Sequence, residues 1–314
     1  AGVEVGTEIA LNYCDQFNLP RMVIINKMNR DNANFSKALD SVKQFSEKRL
    51  LTIQLPWGEK AEFKGVIDLL SMKAYAGAGG KAQEIPGEFA DEVETARMEL
   101  IEAAAEGEDA LLEKYLEGEE LSAEEISRGL KKVSVNGSYV PVFVTAGSAE
   151  TGLAPLLDAM INLMPSPLEA QQAVAKGKEG DEALRPADSE PLAAYVWKTT
   201  ADPFVGKITY FRVYSGMLTS DSRVWNQNKA TEERFGTVHI LRGKEQIAAK
   251  IIHAGDIASV PKLNATSTGD TFCDKGHPLT LAVPVYPHAL YSVAVFPKSQ
   301  ADSAKLSPTL TRLV

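Results

Sequence analysis

Met22-Val23-Ile24-Ile25-Asn26-Lys27-Met28-Asn29 is an unbroken apolar run that ends in a polar turn. Such a run without polar alternation reads as a strand of a parallel sheet, and the turn as its carboxyl end. Residues 7 to 18 put Ile9, Ala10, Tyr13 and Cys14 on one side of a helix. Helix and strand together make half of a parallel α/β unit. Asn34 precedes a second amphipathic helix, in which Phe35, Ala38, Leu39, Val42 and Phe45 recur at helical spacing and should cover the sheet beside the first. Val140-Pro141-Val142-Phe143-Val144 is a second buried strand. It leads through Thr145-Ala146-Gly147-Ser148-Ala149 into a helix carrying Leu153, Leu156, Leu157, Met160, Ile161 and Met164.

The block between them, about residues 51–137, breaks this alternation and reads as an inserted α+β subdomain. Phe63, Val66, Ile67 and Leu69 suggest short strands or turns, and Ala76-Gly77-Ala78-Gly79-Gly80 a flexible loop. Phe89, Val93, Ala96 and Leu100 mark the inner face of an acidic helix. Ser122 with Glu125 offers a capping box ahead of Ile126 and Leu130. Pro165-Ser166-Pro167 closes the α/β region, and the charged, proline-bearing stretch Gly177 to Pro191 reads as exposed linker.

From Leu192 the pattern changes to short β-rich runs: Ala193 to Thr199, Lys207 to Tyr214, Arg223 to Asn226, Arg234 to Leu241 and Ile257 to Val260. Their regular spacing between Gly, Asp and Ser turns predicts a small β-barrel. After Pro284, Ala294 to Leu313 reads as the start of a further α/β element, helical from Lys305. The predicted division is an α/β domain over 1–164, a linker over 165–191, a barrel over 192–284 and the start of a third domain over 285–314.

At 314 residues, 44% hydrophobic and 24% charged, the chain has the composition of a folded multidomain protein. No run of eighteen apolar residues is present, and the opening carries Glu4 and Glu8 rather than a basic start; the expectation is a cytoplasmic protein without a membrane span or secretory signal. Cys14 and Cys273 lack metal-ligand spacing and read as reduced thiols. The net charge of −9 is unevenly spread: acidic residues crowd between Glu84 and Glu125, whereas Lys298, Lys305 and Arg312 lie at the end. The acidic run is either a solvated helix face or a surface for a basic partner.

Asn26-Lys27-Met28-Asn29 is one residue away from Asn-Lys-x-Asp, the guanine-reading motif of GTP-binding proteins. In that motif an ionised Asp accepts from both the ring N–H and the exocyclic amine of guanine. An amide brings one acceptor and one donor instead. An Asn-rich turn after a buried strand would use the same residues.

Several further blocks, in order along nearly the whole chain, resemble elongation factor G. They are Gly2-Val3-Glu4-Val5-Gly6-Thr7-Glu8, Gln54-Leu55-Pro56, Phe63-Lys64-Gly65-Val66-Ile67-Asp68-Leu69 and Gly147-Ser148-Ala149. Beyond them stand Asp202-Pro203-Phe204-Val205-Gly206-Lys207, Phe211-Arg212-Val213-Tyr214-Ser215-Gly216, Thr268-Gly269-Asp270-Thr271, and Val293-Ala294-Val295 with Pro297-Lys298 and Asp302. The resemblance implies a partial P-loop-type G domain with an α+β insert, a translation-factor β-barrel and the start of a third α/β domain. It implies GTP or GDP as ligand, with Mg in the full-length protein, and a monomer acting on the ribosome in translocation. By the same resemblance, Asn26 bonds guanine and braces the neighbouring phosphate loop, and the Lys27 stem lies along the base. Asn29 takes the place of the family's Asp, and Ser148 and Ala149 form the loop whose backbone N–H meets the guanine carbonyl. The barrel and third-domain start imply ribosomal RNA contacts, and the acidic insert a contact with the basic head of the ribosomal stalk protein.

Two departures limit what carries over. No Gly-x-x-x-x-Gly-Lys-Ser/Thr occurs in the 314 residues, and His239, His253, His277 and His288 all fall in or just beyond the barrel. The chain is therefore expected to lack the first part of the G domain, to contain no catalytic residue and to hydrolyse no GTP alone. The second departure is Asn29, which predicts weakened guanine and improved xanthine binding. Two alternatives stay open: a non-hydrolysing ribosome-binding paralogue, and a ribosomal protection or release-factor relative.

Overall fold

The computed structural model describes residues 2–202, 205–243, 245–286 and 288–313, with residues 312 and 313 described by backbone alone. Pro203 and Phe204 of the Asp202–Lys207 block, and the Arg312 side chain, lie outside the described residues. The chain divides into two compact units, Ala1–Ser166 and Pro167–Val314.

The first unit is built on a parallel sheet in which Tyr139–Val144 is central, flanked by Val23–Ile25 and Arg49–Thr52. Every residue of the central strand is buried. Val23–Ile25 is an edge strand, so Ile25 is buried while Ile24 is 41% exposed. Arg49–Thr52 takes residues 51 and 52 into the parallel sheet, and the insert proper leaves it only at Gln54. Helix Val5–Gln16 does not bury the side expected of it: Ile9 is 48% and Tyr13 49% exposed, and Leu11 is the buried residue. Helix Phe35–Phe45 begins at Asn34, whose side chain accepts from the Lys37 N–H.

The insert is an antiparallel sheet of Gln54–Trp57, Gly65–Asp68, Lys73–Ala76 and Lys81–Gln83, followed by helices Ala90–Ala105, Asp109–Leu116 and Ala123–Val135. Ser122 and Glu125 form the reciprocal capping box at the last of these. Helices Ala90–Ala105 and Ala123–Val135 touch backbone to backbone at Gly129, where a Cβ would lie 2.1 Å from the Ala104 carbonyl oxygen. Only glycine permits that approach. Val66, Ile67, Leu100, Leu130, Val142, Phe143 and Leu163 join one core.

In the second unit one sheet runs in the order Thr231–Arg234, Arg223–Asn226, Thr271–Cys273, Ala193–Asp202, Gly206–Ser215, Ile257–Pro261, Val238–Arg242, Glu245–Ala249. It wraps a core centred on Phe211, Phe235 and Phe272, whose ring centroids lie 5.1–6.0 Å apart, two of the three pairs edge to face. The expected single run Arg234 to Leu241 is two strands, because Phe235 turns inward between them. The expected exposed linker is also different. Val174–Lys176 and Asp181–Ala183 form a hairpin that pairs with Thr280–Leu281, and Ala175 and Leu184 are buried with Cys273 and Leu279. Alternation over three-residue strands is too short to stand out among the surrounding charges. The closing helix, Gln300–Leu313, begins five residues before Lys305 and contains Pro308. No helix among the described residues is long and apolar enough to cross a membrane.

Candidate functional site

At the carboxyl ends of the Val23–Ile25 and Tyr139–Val144 strands, which run parallel and adjacent, two loops meet. Asn26 joins them. Its Oδ1 accepts from the Gly147 N–H at 2.9 Å, from the Thr145 hydroxyl at 3.1 Å and from the Lys27 N–H at 2.7 Å. Backbone N–H groups can only donate, so the atom facing them must be the amide oxygen. The Asn26 Nδ2, with two N–H donors, has no acceptor among the described residues.

Lys27 is exposed and has φ of +65°, a left-handed turn that a branched or bulky residue would resist. The turn sends Met28 back into the core at 1% exposure. Met28 is also pinned through its backbone: its N–H donates to the Thr145 carbonyl at 3.2 Å, and its carbonyl accepts from the Lys60 N–H at 2.8 Å. Asn29 follows directly, half-buried, with its Oδ1 buried and without a hydrogen-bond partner. A buried acceptor left unpaired costs about 1–3 kcal/mol.

Ser148 and Ala149 lie exposed on the short turn Gly147–Ala149. The Ala149 N–H already donates to the Ala146 carbonyl at 2.9 Å, whereas the Ser148 N–H has no acceptor among the described residues. Of the two, Ser148 offers its backbone donor without first breaking a bond. The structure thus brings Asn26 into contact with the loop that carries Ser148 and Ala149. Sequence reasoning missed Thr145 and Lys60. Thr145 acts on Asn26 across 119 positions, and no local signal marks such a pairing.

The acidic insert is partly neutralised from within. Glu108 is held below the usual carboxylate range by Lys132 and Arg128. Glu125 is pulled down to about 2, first by the Ser122 backbone N–H and then by Lys114. Glu92 and Glu99 on helix Ala90–Ala105 have no ion pair among the described residues.

Two family profiles match. The one described as Elongation factor Tu GTP binding domain covers residues 1–166, and Elongation factor G domain 2 covers 191–275. The chain belongs to the elongation factor G family. It is similar to elongation factor G of Thermotoga petrophila and of Thermotoga maritima, at 38% identity over 320 residues in each case. Those alignments cover 100% of the chain and 46% of the relative, so the chain spans about half the length of the curated elongation factors it matches. A crystal structure of a protein from Thermus thermophilus superposes with a TM-score of 0.83 at 29% identity, over 100% of the chain and 45% of the other. The architecture of this elongation factor G family member is therefore a GTP-binding domain followed by the family's second, β-barrel domain.

Proposed function

We propose that the chain supplies the base-reading side of the nucleotide pocket, the stalk-facing insert and the barrel of a ribosomal translocase that works on GTP. The observation that carries this reading is the Asn26 amide. Its oxygen is fully used in bracing the Thr145 and Gly147 loop, which leaves its two N–H donors to a base. The Ser148 N–H and the orphaned Asn29 oxygen add one donor and one acceptor beside it. The Lys27 stem lies along the base face. These groups fit a purine nucleotide. None of the 314 residues matches the family's phosphate loop or its magnesium-holding hydroxyl, so no step through Mg is assigned to them.

Within that pocket Asn29 favours xanthine over guanine. Guanine presents two donors on the edge the family's Asp reads. Asn29 can accept one and opposes the other with its own N–H, at a cost of roughly 1–3 kcal/mol. Xanthine replaces the amine with a carbonyl, which the same amide can pair. Titrating the whole protein with GDP and XDP, before and after Asn29→Asp, tests the proposal. The wild type should prefer XDP and the variant GDP; tight GDP binding equal in both would refute it.

In the whole protein, loss of the γ-phosphate would release ordered segments and reorient domains on the ribosome. The barrel and the 285–314 segment would contact ribosomal RNA, and the factor would work as a cytoplasmic monomer. Unpaired Glu92 and Glu99 support a basic partner, the stalk protein head, whose association rate would fall with salt. A second reading, a ribosome-binding paralogue that no longer hydrolyses GTP, is favoured by Asn29 alone. Ribosome-stimulated phosphate release from the whole protein separates the two.

A further inference from the structure

The turn that joins the first two strands of the insert, residues 58 to 63, rests on the base-reading loop. Gly58 opens it with φ of +81° and Lys60 continues it with φ of +58°. The Lys64 N–H closes it by donating to the Trp57 carbonyl at 2.9 Å. From its tip two bonds leave the insert. The Lys60 N–H donates to the Met28 carbonyl at 2.8 Å, and the Glu59 carboxylate accepts from the Phe35 N–H at 2.6 Å. The first holds the residue between Lys27 and Asn29; the second holds the first turn of the helix that follows them. A carboxylate accepting from a free amide in a helix's first turn is favoured by charge as well as by geometry.

We infer that Glu59 and Lys60 are positioning residues that set the direction of the Asn29 amide, and through it the choice of purine base. Met28 is fixed by its side chain in the core, by Thr145 at its N–H and by Lys60 at its carbonyl. The peptide linking Met28 to Asn29 contains that carbonyl. Its plane, and hence the start of the Asn29 side chain, is fixed by the Lys60 bond. Nothing else among the described residues holds the Asn29 oxygen, which has no partner of its own. Discrimination between bases that differ in one donor requires the reading group to be held in place. The insert sheet therefore has a direct mechanical connection to base selection.

This inference rests on the base-reading role proposed above, and the test separates the two. Dissociation constants for GDP and XDP are measured on the whole protein carrying Glu59→Ala, Gly58→Ala, Glu59→Gln or Asn29→Asp. A Cβ at Gly58 would lie 2.1 Å from the Glu62 carbonyl oxygen, so the substitution must shift the turn. Glu59→Ala and Gly58→Ala should bring the XDP-to-GDP affinity ratio about tenfold closer to one, as expected when one bond to a charged group is lost. Glu59→Gln, which keeps an acceptor, should recover most of the ratio and fold in any case. A purely structural role would weaken both nucleotides by the same factor and leave the ratio alone, which overturns the inference. If Asn29→Asp also leaves the ratio unchanged, it is the base-reading role that fails.

Discussion

Asn26 separates two jobs within one side chain. Its oxygen braces the Thr145 and Gly147 loop, and its nitrogen is the group we propose for the base. Asn26→Asp keeps the acceptor and removes the donors. The variant should retain the wild-type thermal midpoint while nucleotide affinity drops about tenfold or more, an effect of the size of one lost hydrogen bond. Asn26→Ala should lose both, with stability down by about 1–2 kcal/mol because the Gly147 and Thr145 donors are left without their acceptor. Calorimetric titration and scanning calorimetry on the same samples read the two effects apart. Equal stability losses in both variants would mean that the oxygen does not brace the loop.

Individual elements carry their own pH dependence. At helix Ala123–Val135, Glu125 is held at about 2 by the Ser122 backbone N–H and Lys114, well under its ordinary 4.5. The folded form therefore gains stability from it above pH 4.5 and loses that gain as the pH falls toward 2. Glu125→Gln should flatten the acid limb of the unfolding curve, and a limb of unchanged steepness would contradict the capping account. In the barrel, His253 Nδ1 lies 2.6 Å from Asp188, on the segment leading into it; the other Asp188 oxygen accepts from the Ala254 N–H. That contact raises the His253 pKa above 6.5, and nearby Asp256 adds to it, while Asp188 is lowered below 3.8. The pair is at full strength between those two ordinary values. It weakens as pH rises through the raised histidine pKa and again as pH falls below the carboxylate range. The thermal midpoint of the barrel should fall between about pH 6 and pH 8, and His253→Gln should remove that slope.

Over the whole molecule, each compact unit has a core of its own. Phe272 sits fully buried against Phe211 and Phe235 in the second. Phe272→Ala should cost about 3–5 kcal/mol of barrel stability through lost burial and the cavity left behind. Nucleotide affinity, which belongs to the first unit, should stay at its wild-type value. A parallel fall in affinity would mean that the units do not keep separate cores.

The helices and strands were legible where their signal is local. The Met22 to Ile25 run, the Phe35 to Phe45 stripe and the Ser122 cap each state their conformation within a turn or two of chain, because backbone geometry repeats every two or 3.6 residues. Asn26, Lys27, Ser148 and Ala149 were visible as residue types of one family, and Asn29 as a departure from it. What the sequence alone determined is thus the order of the elements, the family and the amide at position 29. The tertiary structure decided which of those residues touch: that Asn26 holds Gly147, that Lys60 holds Met28, that Leu184 is buried in an apparent linker, and that Ile9 faces outward. Such pairings span tens of residues or more. They depend on how sheets and helices close on one another, for which a single chain of letters carries no period to read.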